Sequence, residues 1–323
     1  MKTKLNLKKI IEENYTEIGK IEKISKIKHN NINSSIYLVE TSFDKFTVRI
    51  FISPNPKRME KICEILDYCY KKNVNVTKPI KNKTNKFVDN KNKLYLTKYY
   101  DGKHFSGKKQ EILSLTKSMA YLHKTLKKCP ISLPKKRLNH YKIIQENELK
   151  KIQQKIERKK IKDAYDKQII SNVELLKNSI NFCRNKKFQK SNNYQLVHYD
   201  LHTKNIIFDK NNIAIILDFG TLMFGDIIDD VSFSSFRFAV EKKSENLERT
   251  MNLFLQQYCK ESKIPIQNFK DFKISLTKII LMRLSYILRG RYFKKSDEWI
   301  VDLTKNLKFL KLISRLDYDR IVK

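Results

Sequence analysis

Two short polar motifs separated by apolar runs constrain this chain most strongly. The first, Leu196–Asn205, reads L-V-H-Y-D-L-H-T-K-N, and the second, Ile213–Gly220, reads I-A-I-I-L-D-F-G. Asp200 lies five residues before Asn205, and Asp218 follows Asn205 by thirteen residues at the end of an apolar run. This set suits phosphoryl transfer from ATP, in which one carboxylate orients an acceptor hydroxyl and the other two groups hold magnesium on the triphosphate.

Each motif also has an ordinary structural interpretation. Asp200 could be a turn residue, and Asn205 could cap a helix or strand end. Both motifs together, at this spacing and between apolar runs, favour the catalytic interpretation. We interpret His198 and His202 as residues that order the loop, because no cysteine or further histidine lies near them at the spacing of a zinc site.

The order H-x-D-L-H-x-x-N followed by L-D-F-G resembles the aminoglycoside phosphotransferase and choline kinase-like superfamily, whose members usually read H-G-D-L-H-x-x-N and then I-D-F/W-G/E. The resemblance implies a protein-kinase-like α+β fold with two lobes. The smaller lobe, an antiparallel sheet with one helix, would span residues 1–100, and the larger, mostly helical lobe would span residues 101–323. ATP and Mg²⁺ are the implied cofactors.

The resemblance assigns roles to the three polar residues of the motifs. Asp200 would be the catalytic residue, and Asn205 and Asp218 would be the magnesium ligands. The chain departs from the family pattern at Tyr199, where glycine is usual, but this departure removes no ligand.

Upstream segments supply further candidates for nucleotide binding. Residues 36–40 and 46–51 read as two strands joined by a polar turn, and residues 57–72 show a helical period. By the resemblance, Arg49 in the second strand would bridge the phosphates, and Glu64 in the helix would pair with Arg49. A strand residue with its head in solvent and a solvated helix glutamate are the ordinary alternatives.

Two more segments resemble nucleotide-contacting parts of the family. Residues 94–102 form an apolar strand running into an Asp-Gly turn, as in the hinge between the lobes. There the Lys98 carbonyl and the Tyr100 amide would bond the adenine edge. Residues 28–35 occupy the place of the loop that covers the phosphates, and Asn and Ser replace the usual glycine. That segment could equally be an ordinary loop.

The charge of the chain is strongly basic. Lys and Arg number 68 against 34 Asp and Glu, which gives a formal net charge of +34. Such a balance can indicate a polyanionic partner, such as nucleic acid or an anionic membrane surface. Because the lysines are spread along the sequence and not gathered into one block with aromatic residues, we favour a compositional origin and expect no specific nucleic-acid partner.

Cysteine content and hydropathy point to a reduced, cytoplasmic protein. The five cysteines are scattered and form no C-x-x-C pair, which suits free thiols. The N-terminal residues lack a signal-peptide core, and no run of about eighteen apolar residues suggests a membrane span.

The sequence therefore predicts a small-molecule kinase whose acceptor is an amino alcohol, a sugar or an antibiotic. Two alternatives come from other classes of protein. One is a catalytically weak nucleotide-binding scaffold, suggested by Tyr199 and the missing glycine-rich loop, and the other is a basic nucleic-acid-binding protein. The sequence identifies neither the acceptor nor the oligomeric state.

Overall fold

The structure, a computed structural model, describes residues 2–27, 34–52, 55–133, 142–185, 194–242 and 246–322. The chain divides into two compact units. The first comprises Met1–Pro134, Gln195–Phe224 and Lys260–Ser262, and the second comprises Lys135–Tyr194, Gly225–Cys259 and Lys263–Lys323. This division groups residues by their contacts and does not test the boundary between lobes that was expected at residue 100. That boundary stays a prediction.

The first unit is built on an antiparallel sheet. Its strands are β1 (Ile21–Ile27), β2 (Ser34–Thr41), β3 (Lys45–Phe51), β4 (Pro79–Ile80), β5 (Val88–Asp89) and β6 (Leu94–Lys98). They lie in the order β1-β2-β3-β6-β4, and β5 also pairs with β6. The predicted hairpin of β2 and β3 is confirmed, and β3 is a central strand whose Arg49 lies between Ile36 and Tyr95 in the register.

An N-terminal helix that the sequence analysis did not predict, α1 (Lys2–Asn14), packs on this sheet. Its Leu7 and Ile11 share a buried cluster with Val39 and Val48 of the two central strands. These positions alternate along each strand, so one face of the sheet is apolar and is covered by the helix.

Two longer helices complete the unit, α2 (Pro56–Lys71) and α3 (Lys109–Lys127). The start of α2 follows from its sequence, because the Asn55 side chain accepts from Lys57 N–H at 2.8 Å and Pro56 occupies the first turn. The buried side of α2 consists of Arg58, Met59, Ile62, Cys63, Ile65, Leu66 and Cys69. The helix expected over residues 57–72 is thus confirmed.

Four short strands surround the two polar motifs: β7 (Tyr194–Val197), β8 (Ile206–Phe208), β9 (Ala214–Ile216) and β10 (Met223–Asp226). The strands β8 and β9 form an antiparallel hairpin. Helix α3 anchors it, since Ser118 Oγ donates to Ala214 O and Ala214 N–H donates to Ser114 Oγ, each at 3.0 Å.

The second unit is helical apart from the strand residues at its borders. Its helices are α4 (Glu146–Glu157), α5 (Ala164–Ser171), α6 (Val173–Asn185), α7 (Ile227–Glu241), α8 (Leu247–Ser262), α9 (Phe272–Phe293) and α10 (Leu303–Arg315). The long α9 is buried over most of its length and contacts α6, α7 and α10. Among the described residues, no helix has the length and apolar character needed to cross a membrane.

Candidate active site

The β8–β9 hairpin brings the two polar motifs together. Leu217 N–H donates to Asn205 O at 2.9 Å, directly beyond the paired strands. The hairpin therefore fixes the end of the first motif beside Leu217, the residue before Asp218 in the second. All seven residues predicted for the site lie in the first unit: Arg49, Glu64, Lys98, Tyr100, Asp200, Asn205 and Asp218.

His198 is fully buried and ties one motif to the other. Its Nε2 lies 2.8 Å from Leu217 O, and because a carbonyl only accepts, Nε2 carries the proton. The other ring nitrogen, Nδ1, then accepts from Asp200 N–H at 3.3 Å. The ring also meets Phe219 edge-on, with centroids 4.8 Å apart. These are the contacts of a residue that orders the loop.

Tyr199 shows why the family usually has glycine at this position. Its φ is +65°, in the left-handed region that costs a residue with a side chain roughly 1–2 kcal/mol. The backbone is held on both sides, because Thr221 Oγ1 donates to His198 O at 2.8 Å and Asn205 Nδ2 donates to Asp200 O at 2.8 Å. The loop therefore keeps the conformation that glycine would adopt more easily.

The predicted catalytic residue, Asp200, stays within reach of solvent, with a quarter of its side chain exposed. Its Oδ2 lies 3.7 Å from His202 Nε2. His202 Nδ1 accepts from Lys204 N–H at 3.2 Å, so Nε2 carries the proton that faces the carboxylate. His202 therefore orients Asp200 from one side.

Asp218 is held by a short ion pair. Its φ is +56°, and its Oδ1 accepts from Arg49 Nη1 at 2.6 Å and from Gly220 N–H at 3.3 Å. Burial by itself would raise the pKa of Asp218, but the charge and hydrogen bond of Arg49 outweigh burial, so the pKa lies below its ordinary value. Asp218 is thus a carboxylate at neutral pH.

Glycine at position 220 keeps the space beside this pair open. A Cβ there would lie 3.3 Å from Asp218 Oδ1 and 3.9 Å from Arg49 Nη1. The first separation is tighter than nearly all ordinary Cβ contacts, so a side chain would push on the carboxylate. The glycine of the L-D-F-G motif therefore serves the geometry of Asp218.

The glutamate expected to pair with Arg49 lies elsewhere in this structure. Among the described residues, the carboxylate within 4 Å of Arg49 is that of Asp218. Glu64 accepts instead from Lys61 Nζ at 2.7 Å. The neighbouring Glu60 has a structural role, since its two oxygens accept from the backbone N–H groups of Phe87 and Val88 at 3.0 and 2.8 Å. A nucleotide-binding role for Glu64 stays a prediction.

The hinge candidates lie where β6 ends. Tyr99 N–H donates to Lys45 O of β3 at 2.9 Å, so the polar backbone groups of Lys98 and Tyr100 point toward the opposite edge. Lys98 N–H donates there to Lys78 O at 2.8 Å. The Tyr100 amide has no acceptor in the part of the chain that the structure describes. An unsatisfied donor at this edge is what a ligand with an acceptor nitrogen would need.

Each of the two predicted magnesium ligands has one side-chain oxygen that accepts no hydrogen bond from the described residues. Asn205 uses its amide nitrogen on Asp200 O, and Asp218 uses Oδ1 on Arg49, so within the described ranges Asn205 Oδ1 and Asp218 Oδ2 accept from no donor. Hard oxygen ligands of this kind suit Mg²⁺, which keeps the remainder of its shell as phosphate and water. No group of three or more His, Cys, Asp or Glu among the described residues could hold a metal by itself.

Sequence reasoning missed two supports of the second motif. Thr221 bonds His198 O as described above, and the buried Arg58 of α2 donates to Leu222 O at 2.6 Å. Neither has a local signal, because each partner is distant in the chain. Most of the segment expected to cover the phosphates, residues 28–35, lies outside the described residues.

Comparisons with known proteins identify the family and the fold of this chain. The model of the phosphotransferase enzyme family matches residues 23–256. Amicoumacin kinase hAmiN, solved with AMP-PNP, Ca²⁺ and Ami, is 15% identical with a TM-score of 0.67, covering 98% of this chain and 96% of that chain. The AMP-bound spectinomycin phosphotransferase APH(9)-Ia is 15% identical with a TM-score of 0.69 over the same shares.

A choline kinase is also similar. LicA from Streptococcus pneumoniae is 15% identical with a TM-score of 0.55, covering 95% of this chain and 99% of that chain. Likeness at such identities shows the fold, and no curated protein matches the sequence. Since the family match extends over more than half of the chain, this protein belongs to the phosphotransferase enzyme family and has the protein-kinase-like fold that its motifs predict.

Proposed function

We propose that this phosphotransferase moves the γ-phosphoryl group of ATP to a hydroxyl group of a small molecule and uses Mg²⁺. The observation that carries the proposal is a pair of oxygens, Asn205 Oδ1 and Asp218 Oδ2, that accept from no donor in the described part of the chain and lie on segments that one hairpin joins. Asp200 belongs to the same loop, so a metal-bound nucleotide and a catalytic carboxylate would share one site.

Asp200 is the group that orients the acceptor hydroxyl and accepts its proton. Its backbone is fixed by His198 and Asn205, and its carboxylate remains partly exposed. A positioned carboxylate of this kind contributes about 10²–10⁴-fold to the rate. Hydrogen bonds on both sides of Tyr199 hold its strained φ, so the loop keeps this geometry despite the cost in conformational energy.

Arg49 would hold the phosphates. Its guanidinium donates one hydrogen bond to Asp218 and has four further N–H donors in a planar fork. That fork matches two phosphate oxygens at once, and its charge is permanent. The ion pair would keep Arg49 in place before the nucleotide arrives.

Asn205 and Asp218 would hold the metal. Mg²⁺, when bound, offsets the charge that develops on the phosphate oxygens during transfer. The short bond from Arg49 leaves Asp218 Oδ2 as the oxygen for the metal. The Tyr100 amide and the Lys98 carbonyl would meet the adenine edge.

The acceptor is a small molecule with a free hydroxyl, such as an amino alcohol, a sugar or an antibiotic. The similar proteins include kinases of amicoumacin, spectinomycin and choline by their names, and this range shows that the fold does not choose the acceptor. A non-catalytic scaffold is the weaker alternative, because the fixed loop around Asp200 and the two side-chain oxygens that accept from no described donor support a catalytic role.

ATP turnover against a panel of hydroxylated metabolites and antibiotics tests the proposal. We expect Mg²⁺-dependent ADP release that one class of acceptor stimulates and that Asp200→Asn abolishes. Nucleotide binding with no stimulation by any acceptor, and the same slow ADP release in wild type and variant, would favour the scaffold instead.

A further inference from the structure

We infer that the ends of α2 and α3 form a binding surface for single-stranded nucleic acid, recognised through its phosphates and bases without regard to sequence. The surface, called the lysine face below, is defined by five exposed lysines: Lys72, Lys117, Lys124, Lys127 and Lys128. All five lie in the first unit. The inference is independent of the catalytic proposal.

The period of α3 gathers these charges. Lys117, Tyr121, Lys124 and Lys128 are separated by four, three and four residues, which places them on one side of a helix. The remaining sides of α3 are largely buried and include Ser118, which bonds the β8–β9 hairpin. The lysine face is therefore separate from the side of α3 that supports the catalytic segments.

The lysine face has no ion pair among the residues that the structure describes. None of its five lysines lies within 4 Å of a carboxylate among the described residues, whereas the adjacent Lys71 pairs with Asp67 at 2.6 Å. The acid of α3, Glu111, is buried at the other end of the helix, where it accepts from backbone N–H groups between 106 and 108. The surface thus concentrates positive charge that no described carboxylate offsets at close range.

Two tyrosines fix the surface and add aromatic area to it. Tyr121 Oη donates to Lys72 O at 2.8 Å, and Tyr68 Oη donates to Lys128 O at 3.2 Å. These bonds join the end of α2 to α3 in both directions. The Tyr121 side chain is 43% exposed between the lysines. Aromatic rings among cations are what single-strand binding uses, because bases stack on the rings while cations follow the backbone.

The composition of the surface distinguishes nucleic acid from a membrane. The exposed positions of α3 between Lys117 and Lys128 are lysine or tyrosine, and its aliphatic residues there, such as Leu122 and Leu126, are buried. No apolar side chain on this stretch is thus available to enter a bilayer, and the bonded Tyr121 hydroxyl holds its ring in place. The stretch is about 16 Å long, enough for several phosphates of one strand.

The surface could not be read from the sequence as a basic, aromatic-rich block. Lys72 is far from the other four lysines in the chain, and the lysines of α3 are spaced by apolar core residues. Helical periodicity and the packing of α2 on α3 create the cluster. Sequence-independent binding is compatible with the expectation of no specific nucleic-acid partner.

Salt-dependent binding of a labelled single-stranded oligonucleotide tests the inference. Anisotropy titrations of RNA and DNA of one sequence, between about 50 and 200 mM salt, give the slope of log affinity against log salt. Each phosphate neutralised contributes about 0.7 to this slope. Removing four charges by Lys117, Lys124, Lys127 and Lys128→Gln should therefore lower its magnitude by about 3.

A charge-matched control comes from α10, where Lys305, Lys308, Lys311 and Arg315 are exposed. Their replacement by Gln should change the slope by less than about 1. Tyr121→Ala should weaken binding and leave the slope unchanged. The double variant of Lys124 and Lys128, with a slope lower by about 1.4, answers the question if the quadruple variant does not fold.

Three outcomes would overturn the inference. Wild type that fails to bind at the lowest salt has no such surface. Equal losses in the α3 and α10 variants would show that only net charge matters. Binding to phosphatidylserine vesicles that the α3 variants lose, without binding to the oligonucleotide, would assign the lysine face to a membrane.

Discussion

The candidate active site around Asp218 and helix α2 lie in the same compact unit, but they hold their charged groups in different ways. In the candidate site the partners are far apart in the chain: Arg49 and Asp218 are separated by 169 residues and meet at 2.6 Å with side chains only 15% and 25% exposed. On α2, Glu64 pairs with Lys61 three residues away, and both side chains are more open to solvent.

This difference teaches how a carboxylate acquires a role. An exposed pair within one helix contributes about 0–1 kcal/mol and lets both side chains move. A shielded pair that is also bonded to backbone groups has one geometry, and leaving one partner alone is costly. The spacing of glutamates on a helix therefore indicates less than the long-range contacts that fix Asp218.

The largest effect should come from the catalytic loop. We expect Asp200→Asn to lower turnover by about 10²–10⁴-fold, because the proton acceptor is lost while His198 and Asn205 still hold the backbone. Steady-state ADP release with the identified acceptor measures it. If the variant keeps full activity, Asp200 has no part in the mechanism, and a fixed backbone then indicates no more about function than the exposed pair on α2 does.

The second effect concerns the long-range ion pair. Arg49→Met should weaken ATP binding by about 10–100-fold, which corresponds to one or two charge-assisted hydrogen bonds. Lys61→Met is the matched control on α2 and should leave ATP affinity within about twofold. Calorimetric titration of both variants checks the difference, and equal losses would contradict the assignment of Arg49.

A smaller effect is expected at Glu64. Since Glu64 pairs with Lys61 in this structure, Glu64→Gln should change ATP affinity by less than about 1 kcal/mol. Calorimetric titration with ATP measures this change in affinity. A loss of tenfold or more would support the pairing with Arg49 that the family resemblance implies, and would show that α2 joins the site when nucleotide binds.

The smallest effect concerns the strained loop. Tyr199→Gly and Tyr199→Ala both remove the phenol, but only glycine removes the cost of the positive φ. The glycine variant should be more stable than the alanine variant by about 1 kcal/mol. Thermal or denaturant unfolding measures the difference. An alanine variant of equal stability would show that the loop is not strained at this position.

Much of the fold and the site follows from local patterns. The alternation of β2 and β3, the helical periods of α2 and α3, and the spacing of Asp200, Asn205 and Asp218 are all properties of neighbouring residues. Such patterns predict element types and bring candidate residues to notice.

Other features depend on contacts that neighbouring residues do not encode. Lysines interrupt the apolar pattern of α1 in the sequence, and the helix is fixed by packing on the sheet. The hydrogen bond from Arg58 to Leu222 joins residues that are 164 positions apart. The positive φ of Tyr199 follows from hydrogen bonds on both sides of it, not from a tyrosine's own preference. Such details become visible only in three dimensions.

The most direct test of a metal–nucleotide site is the magnesium dependence of ATP binding, because it requires no knowledge of the acceptor. Calorimetric titrations of wild type, Asp200→Asn and Asp218→Ala, with Mg²⁺ and with a chelator, separate binding from chemistry. We expect wild type and Asp200→Asn to bind ATP more tightly with Mg²⁺, and Asp218→Ala to lose most of that gain, since Oδ2 is gone. Equal magnesium dependence in all three proteins, or no ATP binding in wild type, would contradict the account.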